Sequence, residues 1–119
     1  MVVTLFGIAS CDSCRKARRW LDDNGISYQY HDLRKDGLER SDLSNWVQKA
    51  GTERVLNRRS ATWRRVPEVD RILTDDDDAI NLMLENPTLI KRPILKASSM
   101  LMIGFEEGEY DRVLGKSKA

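Results

Sequence analysis

The chain opens with Val2 to Gly7, a short apolar run with β-branched residues that ends at a glycine, and this predicts a first strand. Ser10, Cys11 and Asp12 follow, and then a helical pattern that stops at Asn24-Gly25. Ser10 is the candidate N-cap and Gly25 the candidate residue just past the helix end. Cys14, Ala17, Trp20 and Leu21 recur at helical spacing and define the inner face, while Arg15, Lys16, Arg18, Arg19 and Asp22 fall mostly elsewhere. Ile26 to His31 alternates as a second strand, so the opening reads strand, helix, parallel strand.

Ser41 to Lys49 predicts a second amphipathic helix, capped by Ser41, with Leu43, Trp46 and Val47 inward. Between Gly51 and Val66 the pattern is weaker. It suggests a helical turn at Val55-Leu56 and a helix start near Ser60 or Thr62. Asp75 to Asp78 precede a helix to about Glu85, with Ile80, Met83 and Leu84 inward. An acidic first turn suits the positive end of the helix dipole, and that reading is preferred to a metal site. Asn86-Pro87 ends this helix. Ile94 to Ala97 and Met100 to Ile103 read as two strands of a hairpin, Glu106 to Leu114 as a closing helix, and Gly115 to Ala119 as a polar tail.

At 119 residues the chain has the length of one domain. Twenty Lys+Arg against 19 Asp+Glu leave a formal charge of +1, which argues against a generic polyanion binder and a direct nucleic-acid partner. No apolar run approaches the roughly 18 residues of a membrane span. The N-terminus lacks a basic segment and reads as a buried strand rather than a signal peptide. The expected compartment is the reducing cytoplasm, where two cysteines point to chemistry more often than to a structural staple.

That chemistry centres on Cys11-Asp12-Ser13-Cys14, at the start of the first helix. The thiolate is the nucleophilic form of cysteine, and the free N–H groups of a helix N-terminus stabilise an anion. Arg15 and Lys16 add to the effect. Cys11 is therefore expected to be the exposed, low-pKa member. Cys14, one turn further in, is placed to attack a mixed disulfide formed at Cys11. The competing reading is that both are ordinary small core residues. A zinc site needs about four ligands. Two cysteines and one histidine, His31, fall short, so no metal is expected.

Two further segments carry candidates. Lys91-Arg92-Pro93-Ile94 places a proline at the opening of a strand, where it gives up no central ladder bond and is open to a cis peptide. Arg92 beside it is either a partner for a thiolate or anionic substrate, or an ordinary surface arginine. The stretch Arg54 to Arg65 holds five arginines in twelve residues. Arginine offers fixed, bidentate donors to carboxylate, phosphate or arsenate-like oxyanions, and a solvated helical face is the alternative.

Taken together, the GIASCD start, KARRWLD, YHDLRKDGL, VLNRRSATWRR, IKRPIL and the late IGF resemble the ArsC/Spx family over about residues 2 to 114, nearest its YffB-like branch. The resemblance implies an α/β, thioredoxin-like fold. It implies a mixed sheet of about four strands, a single domain over 1–119 and a helical insertion at about 33–90. Cys11 would be the reactive cysteine and Pro93 a cis-proline facing it. Arg58 and Arg92 match two arginines of the family's oxyanion pocket. The family's arsenate reductases carry a third arginine late in the chain, where this sequence has Ile103-Gly104-Phe105. The full CxxC pair is shared with Spx-type regulators, which sense oxidation and bind RNA polymerase.

The sequence therefore points to a monomeric thiol-disulfide reductase. Cys11 is the nucleophile, Cys14 or glutathione the resolving thiol, and Arg15, Arg58, Arg92 and Pro93 are the substrate-binding residues. No bound cofactor and no membrane partner are expected; the resemblance to the YffB-like branch implies glutathione as the co-substrate. A Spx-like regulator and a true arsenate reductase are the alternatives.

Overall fold

The computed structural model describes residues 2–115, and the polar tail read from the sequence lies, beyond Gly115, outside them. The described chain divides into two compact units. One comprises residues up to Asp32 together with Arg92 onward; the other is Leu33–Lys91.

The first unit is a four-stranded mixed sheet with the order β2-β1-β3-β4, an α/β, thioredoxin-like arrangement. β1 (Val3–Gly7) runs parallel to β2 (Gln29–Asp32). It runs antiparallel to β3 (Ile94–Ala97), which pairs antiparallel with β4 (Met100–Ile103). β1 is central, which explains its nearly continuous apolar sequence: both of its faces are covered. One sheet face, with Val3, Leu5, Leu95, Ala97 and Met102, builds a core with Ala17, Trp20 and Leu21 of α1 (Asp12–Asp23). Tyr110 and Leu114 of α6 (Glu107–Leu114) complete it.

Helix α1 ends as its sequence predicts. Gly25 takes a φ of +67°, the region that glycine enters without penalty. Its N–H donates to Asp22 O at 3.1 Å, and Ile26 N–H reaches back to Leu21 O at 3.0 Å. At the other end the N-cap is Cys11, not Ser10. β2 also differs from the sequence reading. Ile26 to Tyr28 lie outside the strand, whose pairing with β1 begins at Thr4 opposite Gln29. Ile26 and Tyr28 are apolar for another reason, since they pack against the core.

The second unit is helical. α2 (Arg40–Ala50) buries Leu43, Trp46 and Val47 and packs on α3 (Thr52–Val55) and α5 (Asp76–Glu85). Its N-cap is Glu39, two residues earlier than the Ser41 start, and no side chain caps it. α4 (Ala61–Arg65) does begin at Ser60, whose Oγ accepts the Trp63 N–H at 3.1 Å. Asp75 caps α5 by accepting the Asp78 N–H at 2.9 Å. The inward residues of α5 are Ala79, Ile80, Leu82 and Met83. Leu84 is only half-buried, and α5 packs on α2 and on the 3-10 turn at Pro87–Leu89. Leu56 and Ile90 form an isolated antiparallel bridge within this unit.

Among the described residues no helix is long and apolar enough to cross a membrane, and no cluster of His, Cys, Asp and Glu could hold a metal ion.

Candidate active site

The β1–α1 connection sets up the cysteine pair. The Cys11 N–H donates to Ile8 O at 3.1 Å, closing a turn that delivers Cys11 to the N-cap of α1. From there Cys11 O accepts the first helical bond, from Arg15 N–H at 3.1 Å. Both thiols are free, Cys11 half-buried and Cys14 with 1% of its surface exposed.

The two sulfurs have opposite acidities. Burial pushes the Cys11 thiol up. The Cys14 backbone N–H, the Cys14 thiol and the Arg92 guanidinium outweigh it and hold Cys11 below the ordinary thiol value. For Cys14 burial dominates; although the Ile8 N–H favours the thiolate, the neighbouring Cys11 opposes it, and the group is pushed up to about 12. At neutral pH the pair is therefore one thiolate-prone sulfur at the surface of a helix N-terminus and one protonated sulfur behind it.

Arg92 stands next to Cys11 at the junction into β3. The Arg92–Pro93 peptide is cis, and Pro93 is buried, with its carbonyl accepting the Gly104 N–H at 2.8 Å. The Nε and Nη1 atoms of Arg92 are buried without a hydrogen-bond partner. Buried donors are nearly always paired, so a guanidinium with two idle N–H groups beside a thiolate is chemistry waiting for an anion.

Arg15 is turned differently. Its guanidinium pairs with Asp12 on the same helix face and donates weakly to Ala9 O at 3.4 Å, and its side chain is 57% exposed. Arg58 belongs to the helical unit. There its Nε and Nη2 grip the Glu53 carboxylate at 3.1 and 2.8 Å, and its guanidinium lies 4.9 Å from the centre of the Trp63 ring. Arg58, Arg59 and Lys91 line a cleft of about 500 Å³ with Glu53, Leu56 and Asn57. Thus the structure gathers Cys11, Cys14, Arg15, Arg92 and Pro93 in one unit and sets Arg58 in the other.

Sequence reasoning overlooks three neighbours of Cys14. Gly7 ends β1 directly beneath it: a Cβ there would meet the Cys14 Sγ at 2.7 Å and the Tyr30 hydroxyl at 3.3 Å. Tyr30 stands opposite Leu5 in the β1–β2 register, and its hydroxyl is buried without a partner, as is that of Tyr110. The only advance signal is the strand alternation, which puts Leu5, Gly7, Tyr30 and Asp32 on one face.

Comparison with known proteins places the chain. Residues 6–113 match the sequence model of the ArsC family. A solved structure named YffB protein superposes with a TM-score of 0.91 at 38% identity, covering 94% of this chain and 98% of its own. An arsenate reductase (ArsC) related protein from Brucella melitensis is 40% identical with a TM-score of 0.76, over 96% of this chain and 95% of that one. The global transcriptional regulator Spx of Streptococcus pyogenes is 35% identical over 117 residues, 97% of this chain and 87% of its own.

Proposed function

This chain belongs to the ArsC family, and on that premise we propose that it is a glutathione-dependent thiol-disulfide reductase with Cys11 as its nucleophile. The observation that carries the reading is the pairing of an acidified Cys11 thiol with an Arg92 guanidinium that has two buried, idle N–H groups. A thiolate needs a disulfide sulfur to attack, and the idle donors need an anionic group beside that sulfur. Glutathione disulfides supply both, since each glutathione carries carboxylates near its sulfur.

In the first step the Cys11 thiolate attacks a disulfide sulfur, a Cys11 mixed disulfide forms, and the other sulfur leaves as a thiolate that takes a proton from solvent. In the second step a thiol attacks the mixed disulfide: glutathione frees Cys11 and leaves as glutathione disulfide, whereas Cys14 expels the bound thiol and leaves a Cys11–Cys14 disulfide that two glutathiones then reduce. Either Cys14 or a second glutathione acts here. Arg92 and Arg15 hold the anionic part of the substrate, Pro93 shapes the backbone next to it, and Arg58 is assigned to the anion by the family resemblance alone. Dependence on glutathione suits the reducing cytoplasm. No bound cofactor and no second copy of the chain are required.

The test is NADPH-coupled turnover with glutathione and glutathione reductase on a small glutathione mixed disulfide, with arsenate in a parallel arm. Turnover that vanishes in Cys11→Ser and persists in Cys14→Ser establishes glutathione as the resolving thiol. Equal loss in both variants establishes the dithiol route. Turnover of arsenate alone replaces the disulfide by the oxyanion, despite Ile103-Gly104-Phe105 at the place of a third pocket arginine.

A second reading is favoured by one finding, the 35% identity to Spx over nearly the whole chain. In it the cysteine pair is a redox switch and the partner is RNA polymerase. Absence of turnover with either substrate, together with retention of RNA polymerase on the immobilised protein, moves the conclusion there.

A further inference from the structure

The mechanism above makes no use of one buried polar group beside the cysteines. The Tyr30 hydroxyl is shielded from solvent and has no hydrogen-bond partner, although buried hydroxyls are nearly always paired. It is also well placed. The Cys14 Sγ and the Tyr30 oxygen converge on the same spot over β1, at 2.7 and 3.3 Å from where a Gly7 Cβ would stand. The register with Leu5 fixes the backbone of Tyr30, and the Arg18 guanidinium lies 4.1 Å from the ring centre. Arg18 is held in turn by donating its Nε–H to the Tyr28 hydroxyl at 3.2 Å.

We propose that Tyr30 is a hydrogen-bond donor kept in reserve for the Cys14 sulfur, idle while Cys14 is a thiol and engaged when Cys14 becomes the anion that attacks a Cys11 mixed disulfide. The inference rests on the proposed reductase reading and assigns its resolving step. In that step the Cys14 Sγ–Cys11 Sγ bond forms as the bond from Cys11 to the substrate sulfur breaks. The proton that Cys14 gives up ends on the departing thiolate. Between those events a negative charge sits on a sulfur that burial keeps protonated in the resting protein. A donor unengaged in the ground state and engaged in the transition state accelerates the step without stabilising the resting thiol. Tyr30 keeps its own proton throughout, because burial pushes its hydroxyl up, the Cys14, Asp32 and Cys11 charges add to that, and Arg18 opposes it only in part. The Tyr110 hydroxyl, buried and idle as well, sits on a ring fixed edge-on by Trp20 and Phe105, 5.5 and 4.7 Å away.

Stopped-flow reaction of the full chain with dithiobis(nitrobenzoate) tests this, because the reagent separates the two sulfurs. Cys11 releases the first equivalent of chromophore, and Cys14, too buried for the reagent, releases the second by attacking the Cys11 adduct. Cys14→Ser releases one equivalent only. Tyr30→Phe keeps the ring and the Arg18 contact. It is expected to leave the first phase unchanged, slow the second about tenfold and move its pH profile to higher pH. A second phase equal to wild type in rate and pH profile overturns the proposal, and so does equal slowing of both phases, which is the mark of a general structural effect. Absence of the second equivalent in the wild type overturns it differently, by removing the dithiol step itself while leaving the glutathione-resolved reading of Cys11 intact.

Discussion

A side chain at Gly7 would collide with Cys14: the missing Cβ points to within 2.7 Å of the Sγ and 3.3 Å of the Cβ of that residue. The end of the strand and the first turn of α1 meet there with no room for a further carbon atom. Gly7→Ala is expected to destabilise the protein by about 1–3 kcal/mol in denaturant unfolding, the usual penalty of overpacking. In a Cys14→Ala background the same substitution should cost clearly less, because the shorter side chain removes the 2.7 Å clash. A double-mutant cycle without coupling would mean that β1 and α1 are not held apart by this pair.

The acidity of Cys11 is expected to depend on Arg92. Its thiol lies below the ordinary value because the Cys14 N–H, the Cys14 thiol and the Arg92 charge overcome the burial that raises it. Removing the cation leaves the raising cause in place with less to oppose it, so the shift in Arg92→Gln is upward. At pH 7 the iodoacetamide rate of Cys11 should fall about tenfold, and the rate of the two proteins should converge at alkaline pH, where both are thiolates. Peptide mass mapping should find Cys14 unmodified throughout. Equal rates at pH 7 would assign the acidity to the Cys14 N–H and thiol without Arg92.

The parts of this site that lie along one element are readable from the chain, and the parts that meet only in space are not. β3 and β4 fall at the residues that their apolar runs mark, and Cys14, Ala17, Trp20 and Leu21 all turn inward at helical spacing. Sequence preferences place Ser10 at the head of α1, since hydroxyls cap helices well, yet Cys11 occupies the position. A thiol there forgoes a good neutral cap and gains a site that favours its anion. Ile26 and Tyr28 mislead for a related reason. Apolar character marks burial, and these residues are partly buried by core packing after a glycine-terminated helix rather than by strand pairing. Gly7, Tyr30 and Cys14 come from three elements, and no spacing in the sequence announces that they converge. The same holds for the idle N–H groups of Arg92, which only the surrounding structure reveals.

Cys14 should also make the protein sensitive to alkali. It is pushed from 9.0 to about 12 in the folded chain, chiefly by burial. Above pH 9 the unfolded chain has lost this proton and the native chain has not, so the unfolded state binds fewer protons and stability falls as pH rises. The slope from this group approaches about 1.4 kcal/mol per pH unit and ends near the folded value. Alkali acts on other parts of the protein too, so the wild type alone does not isolate the effect. The difference between wild type and Cys14→Ala does. Unfolding free energies of the two, measured from pH 8 upward, should move toward each other, and parallel curves would show that Cys14 ionises freely in the native state.

The acidic run at Asp75 to Asp78 is expected to act through helix capping. Asp75 accepts the Asp78 N–H at 2.9 Å, and the Asp78 carboxylate accepts from both the N–H and the hydroxyl of Thr74, at 3.0 and 2.6 Å. Asp75→Ala should lower stability by about 1 kcal/mol while Asp75→Asn, which keeps the acceptor, changes it little. Millimolar magnesium or calcium should leave the melting temperature of the wild type unchanged. A rise with either cation would restore the metal reading of this segment.

The pair of Glu53 and Arg58 sets the direction of the last effect. Glu53 fills both the Nε and Nη2 donors of Arg58, the bidentate geometry that a substrate carboxylate or oxyanion would use. Any anion that binds Arg58 in this way must first displace the Glu53 carboxylate. The pair is solvent-exposed and therefore weak, which makes displacement easy but not free. Glu53→Gln replaces the competing charge with a neutral amide and is expected to lower KM for an anionic disulfide about two- to fivefold at low salt, with kcat unchanged, because Glu53 has no part in the sulfur chemistry. The advantage should shrink as ionic strength rises and screens the exposed charges. Arg58→Ala should raise KM and abolish the benefit of the second substitution when the two are combined. The combination is the decisive arm: if Glu53→Gln still lowers KM without Arg58, the glutamate acts by general charge repulsion, and Arg58 is not where the substrate anion binds.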